Sequence, residues 1–173
     1  VATETKFVLA PVEASAPAPE PEKLETAQTV TKTISVPAKS SINACDEEAA
    51  EPLDGQGVSK GRLPNELDTE KALAACRQAV ADFPEVPRFV FQLGRAELAA
   101  KNIEGALALF NKAAGLGHLR AINQLGYMYQ RGIGVKQDIA TANAMFKRAA
   151  EKGDVFAMLT YGRNLTHGRG VKQ

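Results

Sequence analysis

Tryptophan is absent from this 173-residue chain, and aromatic residues make up only 6% of it, although 45% of its residues are hydrophobic. So few aromatic and β-branched side chains speak against a β-sandwich, whose strands are filled from those residues. No run approaches the ~18 consecutive apolar residues that a membrane-spanning helix needs, so membrane insertion is not expected. Neither sign of charge is in excess, with 21 Lys and Arg against 20 Asp and Glu. That balance removes the whole-chain basic field that would draw the protein to nucleic acid, and it leaves no acidic solvating tail. Only two cysteines and two histidines are present. A four-ligand zinc site would need Cys45, Cys76, His118 and His167 together, and no C-x-x-C occurs. No metal, no cofactor and no catalytic residue is expected.

What the chain does have is alanine, 29 of them. Alanine is the best helix former and lets helix backbones approach closely. About seven lie in residues 1–40, a stretch that also holds Pro11, Pro17, Pro19, Pro21 and Pro37 and a single aromatic, Phe7. Such a segment buries too little apolar surface to offset the entropy of ordering it, and reads as a disordered Ala/Pro-rich linker. The other nine aromatics all follow residue 82, which places the packed core downstream.

From residue 41 the pattern becomes helical. Ser41 is placed to cap a short helix through Ala50, closed by Pro52. A Gly/Pro loop follows over 53–67. Asp68 or Thr69 starts a helix to about Phe83, Pro87 one to Ala100, and Ile103 one to Ala114. Leu93, Ala96 and Ala100, and Ala106, Leu109, Phe110 and Ala113, step by three and four residues and form apolar helix faces.

The chain also repeats itself. Gly132-Ile-Gly-Val-Lys-Gln137 recurs as Gly168-Arg-Gly-Val-Lys-Gln173, a shift of 36, and Ala121 and Gly126 fall on Ala157 and Gly162. Upstream the shift is 34, carrying Ala72 and Ala79 onto Ala106 and Ala113, while Leu93-Gly94 and Leu125-Gly126 are 32 apart. A unit of this length holds two antiparallel helices and two turns. Gly132 and Gly134 suit a turn at positive φ, Val135 is expected to fold back as an apolar plug, and Asp138 to cap the next helix. Gly168 and Gly170 repeat the turn. Mid-helix Gly126 and Gly162, each costing about 1 kcal/mol against alanine, predict close approach by a neighbouring backbone. The chain starts at Val1 and stops at Gln173 inside a repeat, so it reads as a piece of a longer polypeptide.

Ala121-x3-Leu-Gly-x2-Tyr-x2-Gly-x-Gly-Val-x2-Asp138, followed by Ala142, Phe146 and Arg148-Ala-Ala-Glu-x-Gly153, resembles a Sel1-like repeat. These form a subclass of tetratricopeptide-type helical repeats with an extended Gly-x-Gly-Val turn. Residues 121–156 resemble one nearly full unit and 157–173 the first half of another. Met145, Thr141 and Leu165 depart from the usual Trp, Lys and Tyr. Residues 88–117 resemble an ordinary tetratricopeptide repeat, and 69–84 the second helix of a preceding one. The resemblance implies an all-α fold, a right-handed α-solenoid of antiparallel helical hairpins. It divides as linker (1–40), capping helix and loop (41–68), tetratricopeptide-like helices (69–120) and Sel1-like repeats (121–173). The region from Cys45 to Cys76 also resembles the segment preceding such repeats in bacterial proteins, some of which carry an upstream caspase-like peptidase domain.

The two cysteines leave two readings. They are buried thiols, or they form a disulfide pinning the helix at 41–50 to that at 69–83, which the flanking Gly/Pro loop favours. The bond implies an oxidising compartment such as the bacterial envelope or periplasm, whereas free thiols suit the cytoplasm. Glu47-Glu48 reads as solvated charge. Gly-x-Gly at 132–134 and 168–170 lacks the third glycine of a dinucleotide loop and recurs once per repeat, which marks a turn. What remains is surface. The first helix of each hairpin lines a concave groove in such solenoids, and the face away from the core carries Arg88, Phe91, Arg95, Arg120, Asn123, Tyr127, Gln130, Arg131 and Arg163. Five arginines without a carboxylate suit an acidic or carboxylate-bearing peptide. Solvated arginines that merely keep the surface soluble are the equal alternative. The expected function is non-enzymatic protein–protein interaction, as an adaptor or scaffold. The alternative is a regulatory or substrate-recruiting arm of a larger bacterial envelope enzyme, such as a caspase-like peptidase, with its catalytic domain outside this chain.

Overall fold

A computed structural model describes residues 42–170; the expected linker over 1–40 and the cap at Ser41 lie outside them. Among the described residues there are seven α-helices and no strand: α1 (Ala44–Ala49), α2 (Thr69–Asp82), α3 (Pro87–Ala99), α4 (Ile103–Gly115), α5 (Leu119–Arg131), α6 (Ile139–Glu151) and α7 (Val155–Thr166). From α2 onward each helix packs on the next in order, which makes the chain an α-solenoid; α1 departs from the series and packs on both α2 and α3.

The helix starts follow local chemistry. Asp68, Asn102, Asp138 and Asp154 each accept a hydrogen bond from the first turn of the helix they precede. This satisfies an N–H that has no partner within the helix. The cap of α1 is Asn43: its side chain accepts from the Cys45 N–H at 2.6 Å, and Asp46 closes the box by accepting from the Asn43 N–H at 3.1 Å. α3 begins with Pro87, whose missing N–H removes one such orphan. Neither α3 nor α5 has a side-chain cap of its own.

The alanine register carries the packing. Ala72, Ala79, Ala106, Ala113, Ala121, Ala149 and Ala157 are all buried, as the repeat spacing predicts. Ala100 is not on the buried face; it is the exposed C-cap of α3. Within each hairpin a ring lies across a glycine. A Cβ on Gly94 would come within 2.7 Å of the Phe110 ring, and one on Gly126 within 2.7 Å of the Phe146 ring and 3.2 Å of the Ala142 carbonyl. The close approach at Gly126 is therefore made first by an aromatic ring and only second by backbone. Gly162 differs, since nothing lies within 4 Å of its would-be Cβ; no ring from the described residues reaches it. The two glycines should respond oppositely to alanine. Gly162→Ala will stabilise by about 1 kcal/mol through helix propensity. Gly126→Ala will destabilise by about 1–2 kcal/mol, because overpacking against the buried Phe146 outweighs that gain. Urea titrations of the two variants compare them directly, and equal shifts would refute the assignment.

Gly132 and Gly134 have φ of +71° and +69°. Gly134 also sits over Ile103, and Gly170, at φ +68°, sits in the same way over Ile139. Each turn thus rests on the first residue of the second helix of the hairpin before it. The apolar residue that this turn sends to the core is Ile133. Val135, expected as the plug, is half-buried and packs on none of the core clusters.

Candidate partner-binding face

The arginine-rich inner face of α3, α5 and α7 is not open along its length. Cys45 and Cys76 form a disulfide, which fixes α1 against α2 at the head of that face. From there residues 43–62 run over α3 as far as the start of α5, and they bring the carboxylates that the arginines lack.

Asp46 is fully buried. Its Oδ1 accepts from Arg88 Nε at 3.2 Å and from Gln92 Nε2 at 2.9 Å. Gln92, also fully buried, places its Oε1 3.0 Å from the Cys45 sulfur. Arg95 donates to two backbone carbonyls, Ala49 at 2.7 Å and Arg62 at 2.8 Å, and so satisfies the C-terminal end of α1. Burial pulls the Arg95 pKa below its usual value, against the opposing charge of Glu51. Arg120 pairs with Glu51 at 2.8 Å, faces Asp154 at 3.5 Å, and lies 3.5 Å over the Phe156 ring. Gln56 supplies the cap that α5 lacks, accepting from the Leu119 N–H at 2.6 Å across 63 residues of sequence. His118 is buried and stacked on Phe91 at 4.5 Å, with its Nε2 3.3 Å from Asp54 Oδ2. Burial works to raise the Asp54 pKa, yet the His118 contact, the Gln56 N–H and the Arg120 charge together hold the carboxyl below its ordinary value.

Four of the nine residues expected in the groove are therefore unavailable to a partner. Phe91 is a core residue between His118 and Phe110. Arg88, Arg95 and Arg120 are buried beneath the chain's own segment, with exposures of 6%, 9% and 3%. The reason is electrostatic and local. Five carboxylates lie in nine residues, Asp46 to Asp54, and two of them, Asp46 and Glu51, are held beside Arg88 and Arg120. Glu47 stays exposed, and Glu48 pairs with Arg62 at 3.4 Å, so the pair contributes largely surface charge.

The other five residues occupy the open half. Tyr127 is 41% exposed, with Arg131 5.5 Å from its ring centre. Arg131 and Arg163 are exposed, and Asn123 and Gln130 are half-buried. Leu159, on the same face of α7, is 69% exposed. Beneath them runs a chain of carboxamides. Gln130 Nε2 donates to Asn164 Oδ1 at 3.3 Å, Asn164 Nδ2 to Asn143 Oδ1 at 2.7 Å, and Asn143 Nδ2 to the Arg169 carbonyl at 2.7 Å. Asn143, Asn164 and Arg169 escaped the sequence reading, since asparagines inside helices carry no distinguishing signal until their partners are known. Among the described residues no group of three His, Cys, Asp or Glu is placed to hold a metal. Among the described residues, the lining of the hollow of about 600 Å³ beside the His118–Asp54 pair contains no Ser, Thr or Cys.

Comparison with known proteins agrees with the helical-repeat fold. The Sel1 repeat model matches residues 91–118 and 119–154, so the hairpin α3–α4 is of the same kind as α5–α6. A Sel1 repeat protein from Oxalobacter formigenes, known from its crystal structure, is similar at 27% identity and a TM-score of 0.53, over 68% of this chain and 46% of that one. This chain thus spans less than half the length of that relative. Repeats of this kind in general mediate protein–protein interaction, and the helices, the glycine turns and the two matched segments together show an α-solenoid in which residues 91–118 and 119–154 are similar to Sel1 repeats.

Proposed function

We propose that the protein is a non-enzymatic interaction module, an adaptor or scaffold, that takes an acidic segment of a partner protein on the open half of its inner face. The observation that carries this reading is the division of that face. Its upstream half is filled by the chain's own acidic segment, whereas Tyr127, Arg131, Leu159 and Arg163 stand exposed on α5 and α7. An exposed aromatic, an apolar neighbour and arginines without facing carboxylates fit a peptide that combines negative charge with one apolar anchor. The upstream half supports the choice of charge, because what this face accepts there is Asp46, Glu51 and backbone carbonyls. Residues 41–68 act as the closing cap of the solenoid, 69–120 and 121–173 as its two successive parts. The disulfide supports folding in an oxidising compartment such as the bacterial periplasm.

Amide chemical-shift mapping with a glutamate-rich peptide containing one leucine tests the reading. Shifts are expected along α5 and α7, and Tyr127→Ala should weaken binding about fivefold, within the range for losing one interface contact. Shifts confined to the outer faces of α4 and α6 would refute it.

A further inference from the structure

Three arginines line one hollow at the downstream end of the open face. Arg131 from the last turn of α5, Arg163 from α7 and Arg169 from the turn after it line a hollow of about 430 Å³ with Gln130, Gln137, Ile139 and Gly170. Among the described residues no carboxylate is in that lining. All three are exposed, and among the described residues none makes a salt bridge. Upstream the pattern is the opposite. Arg62, Arg77, Arg88 and Arg120 each pair with a carboxylate, and Arg95 with two carbonyls.

The fold does not require arginine at these places. One repeat earlier, at a shift of 36, Arg163 corresponds to Tyr127 and Arg169 to Ile133, yet the turn sits on its isoleucine in the same way. The favourable placement of a cation in the last turn of a helix accounts for Arg131 and Arg163 singly. It does not account for Arg169, or for the convergence of three like charges, which repel one another unless an anion lies between them. The walls are also fixed. The relay Gln130–Asn164–Asn143 ends on the Arg169 carbonyl, and Gln137 Nε2 bonds the Gln130 carbonyl at 2.9 Å. Asn164 and Asn143 are 0% and 3% exposed. The backbone that presents Arg169 is therefore held before any ligand arrives, which lowers the entropy lost on binding.

We infer that the Arg131–Arg163–Arg169 hollow is an anion subsite that grips neighbouring carboxylates of an acidic peptide. The inference rests on the proposed acidic-partner reading and gives it an anchoring point. Guanidinium groups offer planar paired donors that match carboxylates bidentately. The carboxamides of Gln130 and Gln137 line the same space and add polar contacts without charge. Ile139 adds an apolar side chain to the lining, which suits the methylenes of a glutamate better than a compact ion alone.

The test is calorimetric titration of the whole chain with tetraglutamate at low ionic strength, with inorganic phosphate as a second arm. Tetraglutamate should bind, and Arg163→Gln with Arg169→Gln should weaken it about tenfold or more. Arg148→Gln, at an exposed arginine on α6, should leave affinity within about twofold. Equal losses in the two variants would reduce the effect to non-specific charge and overturn the subsite. So would phosphate binding more tightly than tetraglutamate, which would overturn the assignment to carboxylates. A leucine-bearing acidic peptide that maps to α5 and α7 but ignores Arg169→Gln would remove the subsite and leave the acidic-partner reading standing. If no acidic peptide binds at all, that reading fails and the subsite fails with it. Circular dichroism confirms that the variants remain helical.

Discussion

Replacing Cys45 and Cys76 together by alanine will lower the stability of the N-terminal end by about 3–4 kcal/mol, the entropy of closing a loop of this length. The bond joins residues 31 apart, and that loop contains α1 and the whole irregular stretch up to α2. Without it, α1 has six residues and too few internal hydrogen bonds to persist alone. The loss should be local. Repeat arrays are held by nearest-neighbour interfaces, so α5–α7 should keep their protection while α1 and residues 50–62 exchange freely. Hydrogen exchange with and without reductant reads both effects. Unchanged protection at Cys45–Ala49 in reduced protein would show that packing, and not the covalent bond, holds the segment.

Asp46→Ala should destabilise by about 3 kcal/mol, the scale for removing one member of a buried charged pair. This carboxylate serves three donors at once: the Asn43 N–H, Arg88 Nε and Gln92 Nε2. The substitution therefore removes the capping box of α1 together with the contact that seats α1 on α3. Asp46→Asn should cost only about half as much, because its amide oxygen still accepts from the α3 side while its NH₂ opposes the Asn43 N–H. Denaturant midpoints of the two variants and the parent settle the order. Equal losses for Ala and Asn would mean that the interactions on α3 contribute little.

The sequence made the solenoid legible because its signals are local or periodic. Caps such as Asp68 and Asp138, the turn glycines and the alanine register each lie within one helix or recur at repeat spacing, and each appears where expected. The disulfide was legible only as one of two readings, because two cysteines on adjacent helices fit buried thiols as well until their sulfurs are placed together. The inner face was half legible. Stepping by three and four along α3 and α5 found the arginines, but a periodicity argument treats each helix as if only its neighbours in the repeat could cover it. The covering segment belongs to no repeat. Its approach depends on Asp46–Arg88, Glu51–Arg120 and Gln56–Leu119, contacts 42, 69 and 63 residues apart. The density of acids from Asp46 to Asp54 was the available clue, had it been set against the excess of arginine on the face.

The tethered segment also sets the terms of competition. A ligand held on its own protein by a short connection has an effective concentration in the millimolar range or above, and here the disulfide shortens that connection. An acidic partner of the kind proposed, at far lower concentration in solution, would not displace Asp46 and Glu51 from Arg88 and Arg120 by charge alone. It would meet an array in which Arg88, Arg95 and Arg120 are already taken. On the proposed reading, selectivity among acidic partners would be set by the few side chains of α5, α7 and the turn after α7 rather than by the total positive charge of the face, and a partner would gain little by carrying more negative charge than those side chains can meet.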